Sequence, residues 1–170
     1  MRHLVILAFL ALAGPAFLAL GGPAAAADWQ RVSVGGGASV EVPFSLFDGE
    51  RVREGPSIIY SDGLGEVRME VFAWPNEDRA TMRTIAADLR EAFKDEREVT
   101  YQRIGQAMLV QSGYLDETAL RGGRTIFYER TERSPDRSRL ATMRLVYPES
   151  RRGDVDRFIR RIGNSLRRPD

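Results

Sequence analysis

Residues 66–74, with the sequence EVRMEVFAW, form the clearest strand pattern in the chain. Apolar residues at 67, 69, 71 and 73 alternate with a mixed set that ends in Phe72 and Trp74. Alternation with a period of two places successive side chains on opposite faces of a sheet. One face is therefore predicted to pack on a core, and the other to be half covered, as is common in antiparallel sheets. The aromatic end predicts an additional cover there, such as a helix.

Further strand patterns lie on both sides of this segment. They are predicted at 29–34, 38–42, 57–61, 99–104, 107–112, 124–131 and 138–147. The triple glycine at 35–37 lies between the first two and predicts a hairpin. A phosphate-binding loop is disfavoured there, because such a loop needs a helix after it and a strand follows. The segment 113–123 is predicted to be a loop.

Two segments have helical periodicity instead. At 81–94, apolar residues recur every three or four positions after Thr81, a suitable N-cap. At 154–168, the residues Val155, Phe158, Ile162 and Leu166 share one stripe. The order is therefore four strands, a helix, four strands and a helix. Hairpin-like spacing predicts an α+β fold with a mostly antiparallel sheet of about 6–8 strands flanked by two helices.

The first 27 residues have the pattern of a secretory signal. A basic start is followed by an apolar stretch at 4–20, then by Gly21-Gly22-Pro23 and four alanines that end at Ala27. We expect cleavage after Ala27, which leaves a single domain at 28–170 that is periplasmic or secreted and not embedded in a membrane. Cleavage removes Arg2 and leaves 24 basic and 24 acidic residues, so the mature domain is neutral.

The composition excludes several chemistries. The chain has no Cys, and its one His, His3, lies in the predicted signal. A disulfide scaffold, a Ser-His-Asp triad and His- or Cys-ligated metal sites are thereby excluded from the mature domain. We expect no cofactor, no metal, no catalytic residue and no enzymatic activity.

Glu66 and Glu70 are the strongest argument for the alternative, a hydrolase. Both lie on one strand face, four residues or about 13 Å of backbone apart, and their long side chains can bring the carboxyl groups within the roughly 6.5–9.5 Å that suits glycoside hydrolysis. Phe72 and Trp74 could then stack on a sugar. A solvated strand face with a ladder of salt bridges explains the alternating Glu-Arg-Glu equally simply, and we favour it.

Arginines and one tyrosine are the predicted binding residues. Residues 149–170 contain seven Arg against four acidic residues. A second cluster of arginines lies in the loop between the last two predicted strands and in the residues on either side of it. Tyr114 lies near the start of a predicted loop that is partly apolar. The set comprises Arg130, Arg133, Arg137, Arg139, Arg157, Arg160, Arg161 and Tyr114. It predicts a protein or an anionic envelope component as partner; nucleic acid is disfavoured because the mature domain is neutral.

Several short motifs resemble those of PsbP-like domains. They are Ser61-Asp62-Gly63, Ser112-Gly113-Tyr114, Ile126-Phe127-Tyr128-Glu129-Arg130, Leu145-Val146-Tyr147-Pro148 and Asn164-Ser165-Leu166. The chain is especially similar to small secreted proteins of Gram-negative bacteria whose role is uncharacterised. The resemblance implies an antiparallel sheet flanked by helices, an α/β sandwich, that acts as an interaction or assembly module without catalysis. It transfers no catalytic residue to this sequence.

Three functional hypotheses follow. The first is an exported, non-enzymatic envelope protein that binds a protein or an envelope component. The second is a carboxylate-based hydrolase of envelope glycans or esters, which needs two carboxyl groups converging in a pocket beside an aromatic ring. The third is a carrier of a small ligand, which needs a cavity between helix and sheet.

Overall fold

The computed structural model describes residues 28–116 and 123–168. The predicted signal peptide at 1–27 lies outside the described residues, as does the segment 117–122 of the predicted loop at 113–123.

Strands and helices follow one another in an α+β order. They are β1 (Trp29–Ser33), β2 (Ser39–Pro43), β3 (Arg51–Glu54), β4 (Ser57–Ser61), β5 (Arg68–Pro75), α1 (Met82–Ala92), β6 (Arg97–Ile104), β7 (Met108–Leu115), β8 (Thr125–Arg133), β9 (Arg139–Pro148) and α2 (Arg152–Ser165). Within the described ranges, seven strands form an antiparallel sheet in the order β3-β4-β5-β9-β8-β7-β6, and β1 pairs with β2 separately. The predicted fold class is confirmed.

The glycines at 35–37 form the predicted hairpin connection between β1 and β2. Gly36 and Gly37 have φ angles of 79° and 87°, in the left-handed region that glycine adopts without strain. The register pairs Val32 with Val40 and Ser33 with Ser39 across this turn.

One strand and one strand end illustrate where the structure departs from the sequence prediction. The strand β3 was not predicted, because its sequence RVRE is nearly all charged and three of its four residues are exposed at the edge of the sheet. The strand β7 continues through Gly113 to Leu115, where a loop was predicted. Gly113 permits this, because a Cβ atom there would lie 1.8 Å from the Glu98 carbonyl oxygen across the irregular β6–β7 pairing. Only a residue without a side chain fits at that position.

One face of the sheet, called here the α2 face, carries the larger core. The helix α2 and the β1–β2 pair cover it. Among the fully buried residues are Val40, Met69, Met143, Val155 and Ile162. The apolar stripe predicted for α2 is the stripe that packs on the sheet. This burial supplies most of the apolar area that stabilises the domain.

The opposite face, called here the α1 face, is covered more lightly. Met82, Ile85 and Ala86 of α1 pack against Leu109 and Leu140 of the sheet. Trp74 joins this cluster, so part of the aromatic end of β5 is covered by a helix as the sequence predicted. Thr81 is the N-cap of α1: its hydroxyl accepts a hydrogen bond of 3.2 Å from the Thr84 amide.

Candidate functional site

A groove opens on the α2 face because α2 covers only part of the sheet. Its volume is about 610 Å³, with α2 as one wall and the β6–β8 part of the sheet as its floor. The lining residues used below are Tyr101, Arg103, Tyr114, Tyr128, Arg130, Tyr147, Arg152, Asp156, Arg160 and Asn164. We call this surface the α2 groove.

Four of the five tyrosines in the chain line the α2 groove. Tyr101 on the edge strand β6 is 51% exposed, although large apolar surfaces are usually buried. The Arg124 guanidinium lies 3.4 Å from the centre of the Tyr114 ring and also donates to Glu98 at 2.7 Å. Tyrosine offers a rigid apolar ring and a hydroxyl at the same position, which suits a binding surface.

A hydrogen-bonded group joins the floor of the groove to α2. The Tyr147 hydroxyl donates to Asp156 Oδ1 at 2.9 Å, and Arg152 Nε donates to Asp156 Oδ2 at 3.2 Å. Burial of the Tyr147 hydroxyl, together with the Asp156 carboxylate, raises the pKa of Tyr147 well above its usual range. Tyr147 is therefore a neutral hydrogen-bonding group at physiological pH.

Tyr128 fixes the distance between α2 and β8. A Cβ atom added to Gly163 would lie 2.7 Å from the Tyr128 hydroxyl oxygen, so the helix approaches this strand closely because residue 163 has no side chain. Burial raises the pKa of the Tyr128 hydroxyl as well. The sequence contained no signal for this contact, because it depends on where α2 crosses the sheet.

Positive charge dominates the lining of the α2 groove. Arg130 is held in place: its Nε and Nη2 donate to Glu132 Oε1 at 3.0 and 2.7 Å, and Nη1 donates to Asn164 Oδ1 at 2.9 Å. Arg103 and Arg160 are exposed, and within the described residues neither forms an ion pair. Both side chains are thus available to an anionic partner.

The structure brings together three of the eight predicted binding residues. Tyr114, Arg130 and Arg160 all line the α2 groove. Arg133 does not, because three positions along a strand reverse the face from that of Arg130. It is 8% exposed and donates to the carbonyl oxygens of Ala80 at 3.1 Å and Gln106 at 2.7 Å. Arg133 is thus a buried structural residue rather than the surface residue that the sequence predicted.

The other four predicted arginines lie elsewhere. Arg137 lies in the connection between β8 and β9, and Arg139 is the first residue of β9. Arg139 Nη1 donates a hydrogen bond of 3.4 Å to the Gly36 carbonyl oxygen. Arg157 and Arg161 lie with Arg160 along a shallow depression beside α2. Arg161 stacks on Trp29 at 4.0 Å and donates to Glu41 at 2.9 Å, which lowers the pKa of that carboxyl group.

Sequence reasoning missed Tyr101, Arg103, Tyr128, Tyr147 and Arg152. Alternation along β6 places Tyr101 and Arg103 on the same face of that strand. Alternation along β8 likewise places Tyr128 and Arg130 on the same face of that strand. That these faces form one surface depends on the β6–β7–β8 register, which the sequence did not reveal.

A second concave site lies on the α1 face, beyond the end of α1. This α1-face cleft has a volume of about 690 Å³. Its lining includes Glu66, Arg68, Glu70, Phe93, Asp95, Glu96, Arg97, Asp116, Phe127 and Arg144. It contains the two carboxyl groups of the hydrolase hypothesis, while Phe72 and Trp74 are not part of its lining.

The carboxyl groups of Glu66 and Glu70 are positioned beside arginines. Glu66 Oε2 accepts a hydrogen bond of 3.0 Å from Arg151 Nη1, which also donates to Asp62 at 2.9 Å. Glu70 is directly opposite Arg144 in the β5–β9 register. Arg144 in turn pairs with Glu129 on β8. This geometry favours the cross-strand charge ladder over an acid/base pair.

Residues 28–116 and 123–168 hold no group of three or more His, Cys, Asp or Glu residues that could bind a metal ion. No helix in those ranges is long and apolar enough to span a membrane.

Two solved structures share this architecture. The solution structure of cyanobacterial PsbP (CyanoP) from Synechocystis sp. PCC 6803 gives a TM-score of 0.54 at 16% sequence identity, covering 88% of this chain and 98% of that chain. The crystal structure of the Saccharomyces cerevisiae Ran-binding protein Mog1p gives a TM-score of 0.57 at 9% identity, covering 85% and 97%. No protein-family model and no curated protein matches the sequence.

At these identities the likeness concerns the fold. The chain has a PsbP-like α+β fold, as the sequence motifs predicted. On that fold, this chain carries a basic, tyrosine-lined groove beside α2.

Proposed function

We propose that this protein is an exported, non-enzymatic binding module of the cell envelope, and that its α2 groove binds an acidic segment of a partner protein. The observation that carries the proposal is that α2 leaves the β6–β8 part of the sheet uncovered, and that four tyrosines and four arginines line the resulting groove.

The chemistry of the groove suits a protein partner. Tyrosine and arginine are the residues that most often dominate the binding energy of protein interfaces. Arg103, Arg130, Arg152 and Arg160 face the groove, and among the described residues Asp156 is its single acidic lining residue, so an acidic segment is complementary in charge. A protein partner is also supported by the fold neighbour Mog1p, which is a Ran-binding protein.

Export is the second element of the proposal. It rests on the basic start, the apolar stretch and the alanines of residues 1–27. A direct test is intact-mass measurement of the protein recovered from the native cell. We expect a mature chain that begins at Asp28 in the periplasmic or secreted fraction. A chain with residues 1–27 retained, found in the cytoplasm, would contradict the proposal.

The binding site is tested by photocrosslinking in the cell. A photoreactive amino acid replaces Tyr101 in the α2 groove of the full chain, and a matched chain carries it at Arg83, an exposed residue of α1 on the opposite face. We expect a discrete crosslinked protein from position 101 and not from position 83. Equal patterns from the two positions, or none from position 101, would remove the groove as the partner site.

Charge reversal tests the chemistry of the partner. Arg103→Glu and Arg160→Glu change exposed residues that form no ion pair within the described part of the chain, so the fold should be preserved. We expect both variants to lose the crosslink at position 101 and Arg83→Glu to keep it. Retention of the crosslink in both groove variants would exclude an acidic partner segment.

A further inference from the structure

The floor of the α1-face cleft contains an unusual charge arrangement. Arg144 Nε lies 2.7 Å and Arg97 Nη1 3.5 Å from the same atom, Glu129 Oε2. The side chains of Arg97 and Glu129 are only 6% and 3% exposed. The guanidinium groups of the nearly buried Arg97 and the partly exposed Arg144 therefore share one carboxylate oxygen, and a second anion would complete their hydrogen bonding.

Aromatic rings hold Arg97 at this floor. Its guanidinium carbon lies 3.8 Å from the centre of the Phe93 ring and 5.4 Å from that of Phe127. Burial lowers the pKa of Arg97, and the Glu129 carboxylate opposes that effect. Beside it, a smaller cavity of about 240 Å³ also contacts Phe93 and Arg97. That cavity is lined by Gln111, which is 2% exposed and whose Oε1 has no hydrogen-bond partner among the residues that the structure describes.

The rim of the cleft has the opposite charge. Asp95, Glu96 and Asp116 are exposed, and the Asp116 amide donates to the Glu96 carbonyl at 2.8 Å, which keeps the two ends of the rim together. Among the described residues, these three carboxylates form no ion pair. A cation at the rim would be favoured by their combined field.

We infer that the α1-face cleft binds a small zwitterion with an apolar side chain, of the class of a free amino acid or a dipeptide. The ligand carboxylate contacts Arg97 and Arg144, its ammonium group lies at the acidic rim, and its side chain packs on the partly exposed Phe93. A cleft of about 690 Å³ has the size of ordinary small-molecule sites. The inference does not rest on the proposed function, because the α2 groove is on the other face of the sheet.

Charge separation is what selects a zwitterion. Five carboxylates line the cleft against three arginines, so a simple anion is repelled at the entrance. A simple cation interacts favourably with the carboxylates of the rim, but it supplies no second anion to the two guanidinium groups of the floor. A molecule with both charges satisfies both regions at once.

Three matched probes test this inference on the mature domain by NMR titration of its backbone amides. L-phenylalanine carries both charges, 3-phenylpropionate only the carboxylate, and 2-phenylethylamine only the ammonium group. We expect saturable shifts with L-phenylalanine at residues 95–97, 127 and 144, and affinities at least about tenfold weaker for the other two probes. Equal affinities for L-phenylalanine and 3-phenylpropionate, or no saturable shift with L-phenylalanine, would overturn the inference.

Substitutions at the rim and the floor separate binding from folding. Asp116→Asn lies at the exposed rim, and we expect it to weaken L-phenylalanine binding several-fold while 3-phenylpropionate binding stays equal or improves. Arg144→Gln should weaken both probes, and Arg83→Gln on the exposed side of α1 should change neither. Because a fold defect weakens every probe alike, the opposite responses to Asp116→Asn identify the ammonium site. Parallel losses in that variant would contradict it.

Discussion

The two faces of the seven-stranded sheet are covered in different ways. In the part of the chain that the structure describes, a helix of 14 residues and the β1–β2 pair enclose an apolar cluster of twenty buried residues on the α2 face. On the α1 face of the same part, a helix of 11 residues contributes to a cluster of five. The rest of the α1 face is held by charge, with Glu129 between Arg97 and Arg144.

This difference shows how one sheet can present two chemically distinct sites. Apolar packing fixes the position of α2, so the helix is stable without covering the whole sheet. The adjoining sheet surface stays open and carries tyrosines and arginines. On the α1 face, buried charges replace apolar cover, and the cleft there has a polar floor. The following substitutions test whether each face is held as the structure indicates.

The largest effect is expected at Glu129. Glu129→Gln keeps the shape of the side chain but leaves the Arg97 and Arg144 guanidinium groups without their carboxylate in a nearly buried site. Breaking a buried pair in this way costs about 3–5 kcal/mol, which urea denaturation would measure as a loss in the free energy of unfolding. The control is Glu98→Gln, whose partner Arg124 is 54% exposed and which should cost less than about 1 kcal/mol. Similar small losses in both variants would show that charge does not hold the α1 face.

The next effect is expected where α2 meets β8. Gly163→Ala places a methyl group 2.7 Å from the Tyr128 hydroxyl, so the helix or the ring must move. We expect a loss of ~2 kcal/mol in the free energy of unfolding, because overpacking outweighs the better helix propensity of alanine. Tyr128→Phe in the same chain removes the hydroxyl and should recover part of the loss.

Gly153→Ala is the matched control for this contact. It lies in the same helix with nothing within 4 Å of the added methyl group, and it should be neutral or stabilising by up to about 1 kcal/mol. Equal losses at the two glycines would mean that backbone effects, rather than the approach to Tyr128, limit the position of α2.

The sequence predicted elements better than it predicted surfaces. The stripe of Val155, Phe158 and Ile162 identified α2, because the same residues that set the period are the ones buried. The charged edge strand β3 was missed, because an exposed edge strand needs no apolar face. The sequence prediction placed Arg130 and Arg133 in one binding surface because they are close in the chain. In the structure they lie on opposite faces of the sheet, because side chains alternate along β8. The α2 groove depends on register and on helix placement, which are long-range properties.

A smaller effect is expected at the hydrogen bond between Tyr147 and Asp156. Tyr147→Phe should cost ~1.5 kcal/mol near neutral pH, because the donated hydrogen bond to a half-exposed carboxylate is lost. The pKa of Tyr147 is raised in the folded state, chiefly by burial. Its contribution is therefore complete below the unfolded pKa of about 10 and is lost as the pH rises above that value.

The measurement is the difference in unfolding free energy between the wild type and Tyr147→Phe at neutral pH and above pH 10. We expect the difference to shrink at high pH, while Tyr101→Phe, at a half-exposed ring, should change stability by less than about 0.5 kcal/mol at neutral pH. A difference that grows with pH would contradict the assignment of a neutral, buried Tyr147.

The smallest effect is expected at the start of α1, and it bears directly on the unequal cover of the two faces. Thr81→Ala removes the acceptor of the Thr84 amide, which costs ~1 kcal/mol at a helix N-terminus. Because the buried residues of α1 pack on only Leu109 and Leu140 among the buried apolar residues that the structure describes, α1 should open more readily than α2, and its amides should exchange with solvent faster in the wild type. Hydrogen exchange of Thr81→Ala should then be faster within α1 and unchanged within α2, with Arg83→Ala as the control at an exposed position of the same helix. If the amides of α1 and α2 instead exchange at the same rate and respond together, the domain opens as one unit, and the lighter cover of the α1 face has no consequence for its local stability.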